Sequence, residues 1–241
     1  MTTTALTARA KDLWEHLAGT TAGFAAAVTV TPSQHSRLCP PGWVGIVVIN
    51  GKVLATAPDH HIARLVEQAL SGLAADSLTS TAALASRLPI EESLGPAALA
   101  YLDPACFRLW PADDAAEPLE LDHPDITRYL HAASSEDLEE SGIQAITSPA
   151  FAVREQGQVA AVAGYRDWPC AIAHLSVLTA AAARGRGLAR AAASAAVTHA
   201  VNEGRLPQWR AQPEASRRIA RALGFTELGT QLSFHLTSTS L

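Results

Sequence analysis

An apolar run from Ala171 to Thr179 leads directly into the Gly- and Arg-rich turn Arg184-Gly185-Arg186-Gly187, and that turn opens a long Ala-rich helix reaching Asn202. The change from strand-like to helical character across so short a turn makes strand, turn and helix one unit, which places this part of the chain among α/β folds. The glycines let a ligand approach the backbone, the first helical turn leaves N–H groups without intrahelical partners, and the helix dipole adds positive potential there. A pyrophosphate suits such a turn. The spacing is neither Gly-x-x-x-x-Gly-Lys-Ser/Thr nor Gly-x-Gly-x-x-Gly, so it offers neither a P-loop nor a dinucleotide fingerprint.

The elements around this unit follow from periodicity and turn chemistry. Helical spacing predicts a helix over Thr7 to Ala18, and Asn50-Gly51 between two apolar runs predicts a β-hairpin over residues 43–56. A helix is expected from His60 to Leu73, with further helical or mixed segments reaching Trp110. The Pro-, Asp-, Ala- and Glu-rich stretch Pro111 to Pro118 reads as a linker, which divides the chain into residues 1–115 and 116–241. Beyond it come two short helices, Asp122 to Ala133 and Ser135 to Gly142. Three consecutive strands follow, over residues 151–154, 159–165 and 171–179. The helix from Gly187 to Asn202 precedes a short strand from Leu206 to Ala211, a helix from Glu214 to Leu223, and a closing strand or hairpin from Phe225 to Leu236. That order predicts an α/β fold with a mixed sheet.

Composition narrows the function classes. In 241 residues, 48% hydrophobic and 17% charged content is globular and excludes a wholly disordered chain. The most apolar stretch, Ala180 to Val201, is interrupted by Arg184, Arg186 and Arg190, so no membrane span is expected. The opening Met-Thr-Thr-Thr-Ala-Leu-Thr lacks a basic region followed by an apolar run, so a soluble, cytoplasmic protein is expected. Cys39, Cys106 and Cys170 are scattered and odd in number, which predicts reduced, mostly packed thiols rather than disulfides or a zinc site. His60-His61 lacks metal-ligand spacing, and no metal is predicted. Residues 178–241 carry eight arginines against three glutamates, +5 within a chain of net −5, which suggests a local anionic ligand. Without a basic stripe interleaved with aromatic residues, a small phosphorylated molecule is favoured over nucleic acid.

Arg184-x-x-Gly187-x-Ala189 resembles the Arg/Gln-x-x-Gly-x-Gly/Ala signature of the GNAT superfamily of acyl-CoA-dependent N-acetyltransferases, in the place that family puts it, after a strand and opening a helix. Downstream, Arg210, Pro213-Glu214-Ala215-Ser216 and Ala220-x-x-Leu223-Gly224-Phe225 are similar to the family's Asn-x-x-Ser and Gly-Phe segment. The resemblance spans about residues 120–236. It implies a mostly antiparallel mixed sheet flanked by helices, with acetyl-CoA as co-substrate and no metal. The backbone of Val177, Leu178 and Thr179 would pair with the pantetheine arm. The amides of Arg184, Gly185, Arg186, Gly187, Leu188 and Ala189 would hold the pyrophosphate, and Ser216 would border the thioester.

Three positions depart from the family pattern: Ala220 stands where many members carry a Tyr that protonates the thiolate, Ala181 where a Pro is usual, and Pro213 in place of the Asn. Ser216 is then the nearest hydroxyl to the sulfur, against a plain role in the first turn of its helix. His174 lies where some members place their base, against a structural hydrogen-bonding role. Glu139 and Glu140 read as a solvated face that would also attract an amine. Residues 1–115 show no comparable turn, and a degenerate copy of the same fold is one option for them. The expected activity is transfer of an acetyl group to a primary amine of a small molecule or peptide. A catalytically silent acyl-CoA-binding sensor or interaction module of the same fold is the alternative. No nucleic acid or membrane partner is expected, and a homodimer stays open.

Overall fold

The computed structural model describes residues 3–110 and 116–237. In chain order it contains α1 (Thr3–Ala18), β1 (Val28–Pro32), β2 (Val44–Ile49), β3 (Lys52–Ala57), α2 (His60–Leu70), α3 (Thr81–Ala85), β4 (Ile90–Tyr101) and β5 (Ala116–Leu119). Then follow α4 (Pro124–Ala132), α5 (Ser135–Ser141), β6 (Ala150–Glu155), β7 (Gln158–Trp168), β8 (Ile172–Thr179), α6 (Leu188–Asn202), β9 (Leu206–Ala211), α7 (Glu214–Leu223) and β10 (Thr226–Leu236). These form two compact units, one within Met1–Ala100 and Glu227–Leu241, the other within Tyr101–Thr226. Both are mixed α/β, with mostly antiparallel strands flanked by helices.

In the first unit the strand order is β1-β3-β2-β10-β4. Asn50 and Gly51 take φ of 46° and 75°, the left-handed pair of a type I′ turn, and so set the β2–β3 register from Ile49↔Lys52 onward. β2 is buried at every position. Ile46, Val48, Val53, Ala55 and Phe234 pack with Val66, Ala69 and Leu70 of α2, while α1, which buries Leu6, Ala10, Leu13, Trp14 and Leu17, lies against β2 and β3. β10 runs antiparallel to β2. It can do so because Gly229 brings its backbone so close to Val48 that a Cβ there would stand 1.7 Å from the Val48 carbonyl oxygen. Gln231 donates to the Leu38 carbonyl at 2.6 Å from the same strand.

The order in the second unit is β9-β8-β7-β6-β5. β5 to β8 are antiparallel, and β9 is parallel to β8. One face of this layer holds Ala152, Val162 and Leu178 against Ile126, Tyr129 and Leu130 of α4 and against Ile143 and Ile146. α6 covers the other face. Its buried positions are mainly alanines (Ala191, Ala192, Ala193, Ala196, Ala200), short enough to let the helix lie close to the sheet, and its His199 Nδ1 shares a 2.9 Å hydrogen bond with the Tyr165 hydroxyl.

Several sequence expectations change here. β1 alternates over only Val28 to Thr31 before Pro32, too short a run to stand out in the sequence, and β4 carries Glu91, Glu92, Gly95 and Pro96 in its length, which masks its strand pattern. Residues 111–115 of the expected linker, including the division at 115, lie outside the described residues, but Ala116–Leu119 is strand; β5 ends the strand order, where Pro118 needs no ladder partner on its outer side. The thiols of Cys106 and Cys170 are exposed rather than packed. Cys39 is half-buried, and that burial pushes its thiol up to about 11. Among the described residues no helix is long and apolar enough to cross a membrane.

The contact at Gly229 predicts that Gly229→Ala costs about 3 kcal/mol, because the conflict is with backbone that cannot yield. Gly157→Ala, at φ 80° in open space, should cost about 1 to 2 kcal/mol from the left-handed backbone alone. Thermal unfolding of both variants checks the order.

Candidate functional site

The site begins where a ladder stops. β8 and β9 pair in parallel over Ile172↔Leu206, Ala173↔Pro207 and His174↔Gln208 only. Both strands then continue, β8 to Thr179 and β9 to Ala211, without further pairing to each other. β8 remains fully paired to β7 on its other side, from Trp168↔Ile172 to Ala161↔Thr179. The edge of Leu175–Thr179 that faces away from β7 thus opens into a wedge bordered by Trp209, Arg210 and Ala211. On that edge the Thr179 carbonyl accepts from Arg184 Nε at 3.4 Å, while the Leu178 carbonyl, which faces β7, accepts from Tyr129 Oη at 2.9 Å. Burial raises the Tyr129 phenol pKa, so this group stays protonated and remains a donor.

At the far end of β8 a 3₁₀ turn, Ala181–Ala183, leads to Gly185 (φ 80°) and Gly187 (φ 82°). Gly187 is the N-cap of α6 and no side chain caps the helix. Arg190 and Ala191 donate back to the Gly187 carbonyl at 3.0 and 3.1 Å, so Leu188 and Ala189 present the first-turn N–H groups. A Cβ on Gly185 would meet nothing within 4 Å, whereas one on Gly187 would lie 3.5 Å from the Trp110 ring. Trp110 is fixed by its own N–H, which donates to Ser194 Oγ at 3.0 Å, and by the Arg190 guanidinium, 4.4 Å from its ring centroid. The turn therefore has one walled side and one open side.

Its arginines are held by carboxylates from earlier in the chain. Arg184 pairs with Asp137 at 2.6 Å, and Arg186 with Glu155 at 2.7 Å. The Ser134 hydroxyl and Arg184 hold Asp137 below the usual carboxylate range. Further along, Arg205 pairs with Asp167 at 2.8 Å, and Glu214 takes Arg217 and Arg221. Three arginines of residues 178–241 thus pair with carboxylates that precede residue 178, which offsets part of the +5 surplus.

His174 occupies the last paired rung before the wedge. Its Nδ1 bonds to Gln208 Oε1, and its ring stacks on Trp168 at 4.0 Å between centroids and 10° between planes. Burial, and then the positive charges of Arg210 and Arg166, push its pKa down to about 3 against the opposing hydrogen bond from Gln208. The imidazole is neutral at physiological pH. With Gln208 Oε1 as acceptor, Nδ1 carries the proton and Nε2 keeps its lone pair. Gln208 is fully buried, yet its Nε2 has no hydrogen-bond partner among the described residues, a deficit worth about 1 to 3 kcal/mol. Solvent touches Arg210, but desolvation still lowers its pKa.

Ser216 lies in the first turn of α7, where its Oγ accepts from the buried Trp209 indole at 3.0 Å. The hydroxyl hydrogen is left to donate elsewhere. Ala220 is buried on the same helix. Glu139 and Glu140 are exposed, as are His60 and His61. The fold thus brings His174, the Val177–Thr179 edge and the start of the α6 turn onto one strand and its exit, with Ser216 next to the neighbouring strand's Trp209. Sequence reading passed over Arg166, Trp168 and Gln208. They become visible only when β7, β8 and β9 are placed in register, which puts Arg166 and Gln208 on either side of His174.

Comparison with known proteins agrees with this segment. Residues 150–230 match the family model described as GNAT acetyltransferase. Among solved structures, the chain is similar to an acetyltransferase from the GNAT family from Colwellia psychrerythraea, at 14% identity and a TM-score of 0.48, covering 80% of this chain and 81% of that one. It is also similar to a GCN5-related N-acetyltransferase-like protein from Streptococcus suis 89/1591, at 15% identity and a TM-score of 0.48, covering 80% and 84%. No curated protein matches it. The segment that matches this family model, residues 150–230, holds the opened ladder and the turn at the head of α6.

Proposed function

We propose that this chain binds acetyl-CoA along β8 and the α6 turn and transfers the acetyl group to a primary amine of a small molecule or peptide, in a cytoplasmic setting. The observation that carries the reading is the β8–β9 ladder, which stops at His174↔Gln208 and leaves a strand edge leading to an uncapped helix N-terminus. The residues suit the co-substrate: an extended arm can pair along Val177–Thr179, and a pyrophosphate can sit against Leu188 and Ala189 N–H beside Gly185, with Arg184 and Arg186 close by. When bound, acetyl-CoA supplies an activated acyl carbon: the amine nitrogen bonds to it, the C–S bond breaks, the amine loses a proton and the sulfur gains one.

His174 and Ser216 position the reacting groups in this proposal. A neutral imidazole with a free Nε2 lone pair accepts a hydrogen bond from the attacking amine and orients it; because the charged imidazolium is disfavoured there, the amine's proton leaves to water, and water returns one to the sulfur. Ser216, fixed by Trp209, hydrogen-bonds the departing sulfur. A second reading is an acyl-CoA sensor without turnover; the buried Ala220, standing where many relatives carry a protonating Tyr, favours it.

Three outcomes are expected. Calorimetric titration should show acetyl-CoA binding near micromolar strength, about −8 kcal/mol. Gly185→Asp, tolerated in the left-handed region, should weaken it at least tenfold by charge, and Gly185→Asn should weaken it much less; no binding by a folded wild type sinks both readings. The second concerns pH. A His with its pKa lowered to about 3 is deprotonated above that value, so kcat/KM should show no limb from His174 between pH 5 and 8. A limb near 6.5 that His174→Gln removes would contradict the neutral-imidazole role. The third is Ser216→Ala, which should lower kcat roughly tenfold or more with acetyl-CoA affinity kept, and lower stability by about 1 to 3 kcal/mol because the Trp209 N–H loses its acceptor.

A further inference from the structure

Side chains directly opposite one another in neighbouring strands point to the same face. The register Arg166↔His174↔Gln208 therefore sets a guanidinium, an imidazole and a carboxamide in one row across β7, β8 and β9, spaced by one strand-to-strand distance each. Arg210, two residues after Gln208 on β9, shares that face just past the point where the ladder opens. Trp168, two residues after Arg166, closes the row from the other side by stacking on His174.

The row has a definite electrical and hydrogen-bonding character. The charges that act on His174 are both positive, Arg210 and Arg166. The acidic residue nearest in sequence, Asp167, alternates to the opposite face and is paired with Arg205. Gln208 Nε2 is a second, independent sign: it is a donor on a fully buried side chain at the head of the wedge, and the described residues supply no acceptor for it. Reversing the amide moves the unmet atom from nitrogen to oxygen but leaves the two guanidinium donors in place. Such a surface repels a bare ammonium and favours a ligand that brings anionic oxygen to within reach of the arginines.

We infer that the acceptor amine carries a carboxylate, and that Arg166 and Arg210, with Gln208, hold that carboxylate on the His174 face so that the amine lies at the mouth of the β8–β9 wedge. This rests on the acetyl-transfer reading above and narrows its substrate class to amino acids and related amino carboxylates. The positive row acts twice: it binds the carboxylate, and it disfavours the protonated form of the amine, leaving the nucleophilic neutral form more populated. Arg166 and Arg210 are binding residues in this scheme, and their effect should fall on KM for the acceptor more than on kcat.

The test is CoA release with the proteinogenic α-amino acids, β-alanine and 4-aminobutyrate, each compared with its own carboxamide, for wild type, Arg166→Gln and Arg210→Gln. Acetyl-CoA titration of each protein runs in parallel. The expected result is at least a tenfold preference in kcat/KM for one or more acids over the matching amides. Both substitutions should reduce that preference through acceptor KM, with acetyl-CoA affinity unchanged. Arg166 is exposed, so its variant keeps the test valid if Arg210→Gln fails to fold. Amides used as well as acids, or a preference that survives in the folded variants, would overturn the carboxylate assignment while leaving acetyl transfer intact. Acetyl-CoA binding without CoA release for any amine would overturn both and leave the sensor reading.

Discussion

The ending of one parallel ladder governs the candidate site. Had β8 and β9 stayed paired to their ends, the backbone of Leu175–Thr179 would be satisfied on both sides, with no edge for an extended ligand. Because pairing stops at His174↔Gln208, that edge is open, and it points along the chain toward Gly185 and Gly187. The helix that follows is held against the sheet by a run of buried alanines, which fixes where its N-terminal amides lie. Strand edge and helix terminus are thus consecutive stretches of one chain, and their relative placement depends on a single short turn. Electrostatic and hydrogen-bonding groups placed in this way need little reorganisation when a ligand arrives.

Charge works differently from what a count along the chain suggests. Three of the eight arginines in residues 178–241 pair with Asp137, Glu155 and Asp167, which belong to α5, to the end of β6 and to β7. The folded turn presents arginines already held in pairs, so its attraction for an anion comes from backbone amides and the helix terminus as much as from net charge. Binding a pyrophosphate there calls on Arg184 and Arg186 to share or exchange carboxylate partners. Positive charge acts on His174 as well, from Arg210 and then from Arg166.

Much of this architecture was legible in the sequence wherever local chemistry decides structure. Asn50-Gly51 specified a hairpin and its register, Gly187 and Gly224 marked where helices start and stop, and the three strands from residue 150 to 179 showed through their apolar content. The order of the motif residues from Val177 to Ala189 also translated directly into strand, turn and helix. What stayed hidden depends on partners distant in the chain. β4 is a strand because β10 lies beside it, despite Glu91, Glu92 and Pro96. β10 joins β2 through a backbone contact at Gly229 that no pattern of hydrophobicity announces. Arg166, His174 and Gln208 are 42 positions apart from first to last, and only the pairing register makes them neighbours.

His174 shows why the distinction matters for mechanism. Its residue type suggests a group that titrates near neutrality, and on an exposed loop it would be one. Between Trp168 and Gln208, with two guanidinium groups acting on it, protonation is strongly disfavoured, and the ring serves as a neutral acceptor over the whole physiological range. The same positive charges lower the affinity of this face for an ammonium ion, so an amine reaches it either neutral or accompanied by an anion. Under the proposed acetyl transfer, one arrangement would set both the protonation state of His174 and the charge of the acceptor. The proton chemistry and the choice of acceptor are therefore coupled: removing Arg210 to relax the second would raise the basicity of His174 and alter the first.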